Sequence, residues 1–233
     1  YPSSHHQSSE KGRIILKLNI FLIRHGETFF NKFKRVQGWS DSPLTKKGLD
    51  QSRKIAEYFL VNGIKLEAVF SSDSGRAIET ASTIVEELKI KIPHTKDRRL
   101  REWCFGSFEG QNYDLFVKKL LNDSFDVYGK NREQLLYPEI SEILTRMDTE
   151  KWTESWEDLR ERIFQSIFEI AEKSSRKGGK NILIVGHSLS ISTFLWLIDN
   201  SQPKFNDIKS GTITQITFEN EKFELVNREI TLI

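Results

Sequence analysis

The run Ile14-Ile15-Leu16-Lys17-Leu18-Asn19-Ile20-Phe21-Leu22-Ile23-Arg24-His25-Gly26-Glu27-Thr28 changes character at one point. A stretch dominated by Ile, Leu and Phe stops at Arg24, and polar or small residues follow. The apolar part reads as a buried strand. Lys17 and Asn19 interrupt it, and it falls short of the about 20 apolar residues that span a bilayer. The polar cluster therefore sits at the strand's carboxyl end. The same change recurs twice. Ala68 to Ser71 runs into Ser71-Ser72-Asp73-Ser74, and Asn181 to Val185 runs into Gly186-His187-Ser188. The clusters that follow Ile23, Phe70 and Val185 thus share one position, and crevices outside the carboxyl ends of strands are where open α/β sheets bind ligands.

The segments between are helical. Thr45 can cap a helix running to about Val61, with Leu49, Ser52, Ala56, Phe59 and Leu60 along one face. A second helix spans about Gly75 to Leu88, with Pro93 in the loop after it. Leu100 to Gly110 is irregular. Asn112 to Asp148 is helical without strand signals and reads as an inserted cap, about 111–153. Helices from about Ser155 to Ser174 and from Ser188 to Ile198 follow, and a hairpin turns near Asn220. Strands alternating with helices predict an α/β fold: a mostly parallel central sheet with helices on both faces, a three-layer sandwich, with a small helical cap insertion. Residues 13–233 make one such domain. Residues 1–12 have no periodicity and read as a flexible tail or cloning remnant, with His5-His6 belonging to that tail rather than to a metal site.

Composition narrows the function. The chain has 233 residues, 35 basic and 33 acidic, a formal net charge of +2, and a single cysteine, Cys104. One cysteine makes neither an intrachain disulfide nor a cysteine-based zinc site. Near neutrality argues against a nucleic-acid partner held by bulk electrostatics, while leaving room for one concentrated positive pocket. No membrane span is expected. The expected location is the cytoplasm, or outside it if residues 1–12 follow a removed signal segment.

The three clusters supply Arg24, His25, Asn31, Arg76 and His187 together with two helix N-termini. Arginine forks bind phosphoryl oxygens bidentately, helix N-termini favour anions, and an imidazole can attack phosphorus and carry the group as a covalent intermediate. The leaving alkoxide needs a proton. Glu102, among Trp103, Phe105 and Phe108, is the candidate donor, since partial desolvation favours the neutral acid. Each residue also has a plainer reading. Arg76 can pair with Glu79 or Asp73 on the surface, and Glu102 with Arg98, Arg99 or Arg101.

Arg24-His25-Gly26-Glu27-Thr28, Asn31, Gln37-Gly38, Pro43-Leu44-Thr45, Ser71-Ser72, Arg76-Ala77, Glu79-Thr80, Leu100-Arg101-Glu102, Gly106, Glu109-Gly110 and Gly186-His187 together resemble the histidine phosphatase superfamily, in its phosphoglycerate mutase-like branch. The resemblance runs from Phe21 to about Leu195. It implies that His25 is the nucleophile that becomes phosphohistidine. It also implies that Arg24, Arg76 and His187 hold the phosphoryl oxygens, with Asn31 adding a hydrogen bond, and that Glu102 donates the proton. Ser188 joins the phosphate pocket through its amide, and Gln37 and Gly38 line the entrance. No metal or other cofactor belongs to that chemistry. The partner is a small phosphorylated substrate; the sequence sets no oligomeric state.

The branch contains hydrolases and mutases with the same reacting groups. Mutases typically carry a basic, proline-containing stretch after the glutamate motif. Gln111 to Pro138 has Lys118-Lys119 and Arg132 but no paired arginines, and Arg101 to Gly110 looks closer to broad-specificity phosphatases. The expectation is a metal-independent phosphomonoester hydrolase. The alternatives are a 2,3-bisphosphoglycerate-dependent phosphoglycerate mutase and a non-catalytic binding relative, although the latter should have lost one of the five central groups. Gly186-His187-Ser188-Leu189-Ser190 also approaches a serine-hydrolase elbow, but no histidine follows His187 to serve Ser188 as base.

Overall fold

The computed structural model describes residues 17–201 and 208–232. The tail, its histidine pair and Ile14 to Leu16 lie outside the described residues. Six strands form one sheet in the order β3-β2-β4-β1-β5-β6. The parallel core consists of β1 (Leu18–Arg24), β2 (Ala68–Ser71), β3 (His94–Lys96) and β4 (Asn181–Gly186). β5 (Thr212–Glu219) pairs antiparallel with β1, and β6 (Lys222–Thr231) with β5. The turn between them places Asn220 and Glu221 at positive φ, 51° and 60°, the twist a two-residue hairpin loop requires.

β1 is buried on both sides, and its alternation divides the core. Phe21 and Ile23 face Ile55, Phe59, Ala77, Ala81 and Ile84, from α2 (Lys46–Val61) and α3 (Gly75–Leu88). Ile20 and Leu22 face the opposite layer, built from α6 (Trp156–Arg176) and α7 (Ser188–Ile198). The expected three layers are therefore present. Helices α4 (Tyr113–Tyr128) and α5 (Tyr137–Met147) occupy the cap region, and their Phe116, Leu120, Ile140 and Leu144 run into the same core as α6 and α7. Among the described residues no helix is long and apolar enough to cross a membrane.

Two local readings change. On α2 the buried face is Gly48, Ser52, Ile55, Ala56 and Phe59, whereas Leu60 is exposed; the last turn runs past the sheet it packs on. After Pro93 the chain does not remain a loop, because His94–Lys96 pairs with β2 as an edge strand. Thr45 caps α2 as expected, its side chain accepting from the Gly48 amide.

Candidate active site

The parallel register Ile23↔Val185 and Arg24↔Gly186 makes His25 and His187 the first residues beyond neighbouring strands. Their rings meet edge to face, with centroids 5.3 Å apart. The His25 amide donates to Gly186 O (3.0 Å) and the Gly26 amide to Thr80 Oγ1 (3.0 Å). A Cβ on Gly26 would come within 2.4 Å of Gly48 O, so only glycine lets the two backbones meet there. His25 Nδ1 lies 2.8 Å from Gly26 O. A carbonyl only accepts, so Nδ1 carries the hydrogen and Nε2 keeps its lone pair. Burial, then the Arg76 and Arg24 charges, hold the imidazole pKa well below its ordinary 6.5, against the smaller opposing effect of the Gly26 bond. His25 is thus neutral at neutral pH, with Nε2 poised as a nucleophile.

Arg76 is fully buried in the first turn of α3. Its Nη1 donates to Ser40 O (2.9 Å) and Asp41 Oδ1 (2.8 Å), and its Nη2 to Gly38 O (2.7 Å) and His187 Nδ1 (3.0 Å). A guanidinium only donates, which leaves the hydrogen of His187 on Nε2. Burial and the Arg76 charge lower the pKa of this imidazole as well. Arg24 Nη1 donates to Ile208 O (2.8 Å). Gln37 Oε1 accepts from Ser42 and Thr28 (2.6 and 3.2 Å). After these bonds, four nitrogens of the cluster stay buried without a partner: Arg24 Nε, Gln37 Nε2, Arg76 Nε and His187 Nε2. A buried donor left unsatisfied costs about 1–3 kcal/mol, and an anion with several acceptor oxygens relieves that cost.

Glu102 is buried, with partners other than those expected. Its Oε1 accepts from Ser190 N, Ser190 Oγ and Trp103 N (2.8, 2.9 and 3.0 Å), and its Oε2 from Leu189 N (2.9 Å). The carboxyl therefore caps α7 and pairs with no arginine. Trp103 turns away into the core, donating from Nε1 to Thr193 Oγ1 (3.2 Å). Arg101 pairs with Asp73 instead (2.6 Å). Asp41 lies so close to the start of α3 that a Cβ on Gly75 would come within 2.7 Å of its Oδ2. Both helix N-termini proposed for phosphate thus face protein carboxylates, and side-chain donors form the anion pocket.

Arg24, Asn31, Gln37, Glu102 and Ser188 line one cavity of about 420 Å³, with His25, Arg76 and His187 buried next to them. Asn31 Oδ1 accepts from the Thr28 amide (3.1 Å), which leaves its amide nitrogen for a ligand. Gly38 does not line this cavity. Its amide donates to Glu109 Oε2 (3.0 Å), its carbonyl holds Arg76, and an added Cβ would come within 2.1 Å of Trp103 O. It belongs to the framework under the site. Of the aromatic residues around the cap, Tyr113 and Phe116 line the cavity, Phe125 and Trp152 are exposed, and Trp39 lies beneath Arg98 and Arg101. Burial pushes the Cys104 thiol pKa up, which fits packing rather than chemistry.

Three supporting residues escape a reading by motif role. Asp41 anchors Arg76. Glu109 gathers the loop through Trp39 N (2.7 Å), Ser40 N (3.1 Å) and Phe105 N (3.1 Å). Arg162 of α6 donates to the carbonyls of Arg99, Arg101 and Glu102 (3.0, 2.8 and 2.9 Å) while paired with Glu154. Glu109 had a sequence signal in its Glu-Gly pair; Asp41 and Arg162 had none.

A family model described as the histidine phosphatase superfamily (branch 1) matches residues 20–231. A 2,3-bisphosphoglycerate-dependent phosphoglycerate mutase of Pelagibacter ubique (strain HTCC1062) is 30% identical over 219 residues, 88% of this chain and 91% of that protein. Among solved structures, a phosphoglycerate mutase from Bacillus anthracis str. Sterne superposes with a TM-score of 0.81 at 29% identity, covering 91% of this chain and 92% of the other. A phosphoserine phosphatase from Entamoeba histolytica shares the fold, with a TM-score of 0.67 at 22% identity, over 92% of this chain and 98% of its own. With the neutral His25, its arginines and the strand-end geometry in place, the chain belongs to branch 1 of the histidine phosphatase superfamily.

Proposed function

We propose that the protein is a metal-independent phosphomonoester hydrolase that works through a phosphohistidine on His25, with a small phosphorylated metabolite as substrate. One observation carries this reading: a neutral imidazole with a free Nε2 beside four buried donors that lack an acceptor. The phosphoryl oxygens accept from Arg24, Arg76, Gln37 and His187, with Asn31 adding a bond. His25 Nε2 attacks phosphorus as the phosphorus–oxygen bond to the alcohol breaks, and Glu102 gives its proton to the departing oxygen. Glu102, now a carboxylate, takes a proton from water. That water attacks phosphorus, the nitrogen–phosphorus bond breaks, and inorganic phosphate leaves. The protein's part is positioning and charge stabilisation.

Phosphoglycerate mutation is the second reading, favoured by the names of the Pelagibacter and Bacillus relatives. It requires a small acid, rather than water, to receive the phosphoryl group. Hydrolysis is preferred because Lys34, Arg35 and Arg132, the cations lining the cavity besides Arg24, are all exposed and form no buried clamp for a carboxylate. The test is p-nitrophenyl phosphate turnover in EDTA beside interconversion of 3- and 2-phosphoglycerate with and without 2,3-bisphosphoglycerate. Hydrolysis with little interconversion is expected, and His25→Ala should lose roughly three orders of magnitude or more together with the acid-labile phosphoenzyme. Interconversion stimulated by the bisphosphate would establish the mutase, and no turnover from acid to neutral pH would leave a binding module.

A further inference from the structure

The cavity that carries Arg24, Asn31, Gln37, Glu102 and Ser188 at one end is closed elsewhere by Phe105, Phe116, Val117, Leu120, Ile140 and Leu144. The two ends are parts of one hollow of about 420 Å³, within the usual range for small-molecule sites. Most of these distal residues also belong to the main core, where Phe116 packs against both Phe105 and Phe108. The wall is therefore continuous with the packed core. Of its charged members, Lys34 and Asp114 pair with each other (2.8 Å) and are largely exposed, and Arg35 and Arg132 stand at exposed positions. A ligand held by its phosphoryl group extends its alcohol part along this wall. Hydroxyls placed against the apolar residues would lose water and find few partners, whereas methylenes or a ring would gain from burial.

We infer that the site selects phosphomonoesters whose alcohol carries an apolar body, alkyl or aryl, over small polyhydroxylated esters. The inference rests on the hydrolase reading for the phosphoryl end and adds the class of the leaving group. Its test separates the two. Binding of straight-chain alkylphosphonates, from ethyl to octyl, is measured by calorimetry on the full chain, beside hydrolysis of p-nitrophenyl phosphate. Phosphonates cannot be turned over, so chain-length dependence reports the wall alone. Affinity should rise roughly fourfold per methylene until the hollow is full. Val117→Asn and Leu121→Asn, both at half-buried lining positions, should flatten that slope. Flat affinity in the native protein, with p-nitrophenyl phosphate still hydrolysed, would overturn the inference and leave the hydrolase reading intact. A rising slope without hydrolysis would support the apolar wall and overturn the hydrolase reading. An unchanged slope in both variants would place the alkyl chain elsewhere and overturn the inference.

Discussion

His25 and His187 each have the hydrogen of one ring nitrogen assigned by a neighbour that can play only one part: the Gly26 carbonyl for one, the Arg76 guanidinium for the other. This sets the acid side of the activity profile. Burial and the nearby cations hold the pKa of His25 well below 6.5, so the unprotonated form persists as pH falls through 6.5. The kcat/KM for p-nitrophenyl phosphate should therefore show no loss attributable to imidazole between pH 7 and 6. Its acid limb should appear only lower. A half-maximal point at the ordinary histidine value would show that the imidazole is not so held in the free enzyme. These residues were legible in the sequence because polar clusters break an apolar pattern at strand ends. Asp41 was not, because nothing local marks an aspartate in a loop as the anchor of an arginine on α3. Gly38 was recognised by its motif, which records a residue's presence and not that its carbonyl holds Arg76 and its amide Glu109.

At the scale of elements, α6 reaches across to set the strand-to-loop segment that carries Glu102. Arg162 holds the carbonyls of Arg99, Arg101 and Glu102 there, and its fork suits this where a point charge does not. Arg162→Met should cost more on substrates that need a proton on the leaving oxygen than on those that do not. The expected result is a loss of about 10–100-fold in kcat on an alkyl phosphate, a part of the roughly 10²–10⁴-fold that a positioned acid contributes, with p-nitrophenyl phosphate changed by a few-fold. Equal losses on both would mean that Arg162 only supports the fold. Element types were readable from periodicity: α3 and α7 begin and end as expected, and the hairpin turns where Asn220 placed it. The misses have physical causes. β3 is three residues, His94-Thr95-Lys96, with no apolar alternation, and pairing with β2 makes it a strand. Leu60 follows Ala56 at helical spacing, yet α2 ends at Val61 with that turn open to solvent. Arg162 reads as one more charged residue on an amphipathic helix, and only tertiary packing turns it toward backbone carbonyls.

For the whole molecule, a cluster of buried unsatisfied donors should make stability depend on anions. Inorganic phosphate or orthovanadate that binds the folded state alone should stabilise it by about 2.7 kcal/mol at 100 times its Kd, which corresponds to roughly 5–10 °C in Tm for a chain of this size. Differential scanning fluorimetry with sulfate and chloride controls measures it. No shift with phosphate, or an equal one with chloride at the same ionic strength, would contradict the anion pocket. The near-balance of charge seen in the composition hides this concentration of positive groups, because Asp41, Asp73 and Glu154 neutralise the surrounding arginines one by one.

The pairing of β1 with β4 has a consequence for biosynthesis. His25 leaves the ribosome well before the strand that places His187 beside it is complete at Gly186, and the carbonyl that holds Arg24 belongs to Ile208. Contacts this distant in sequence form late and together. A nascent chain that carries His25 therefore has no complete cluster until Gly186 and Ile208 have also been made. Competence for chemistry should arrive in one step as the final strands dock.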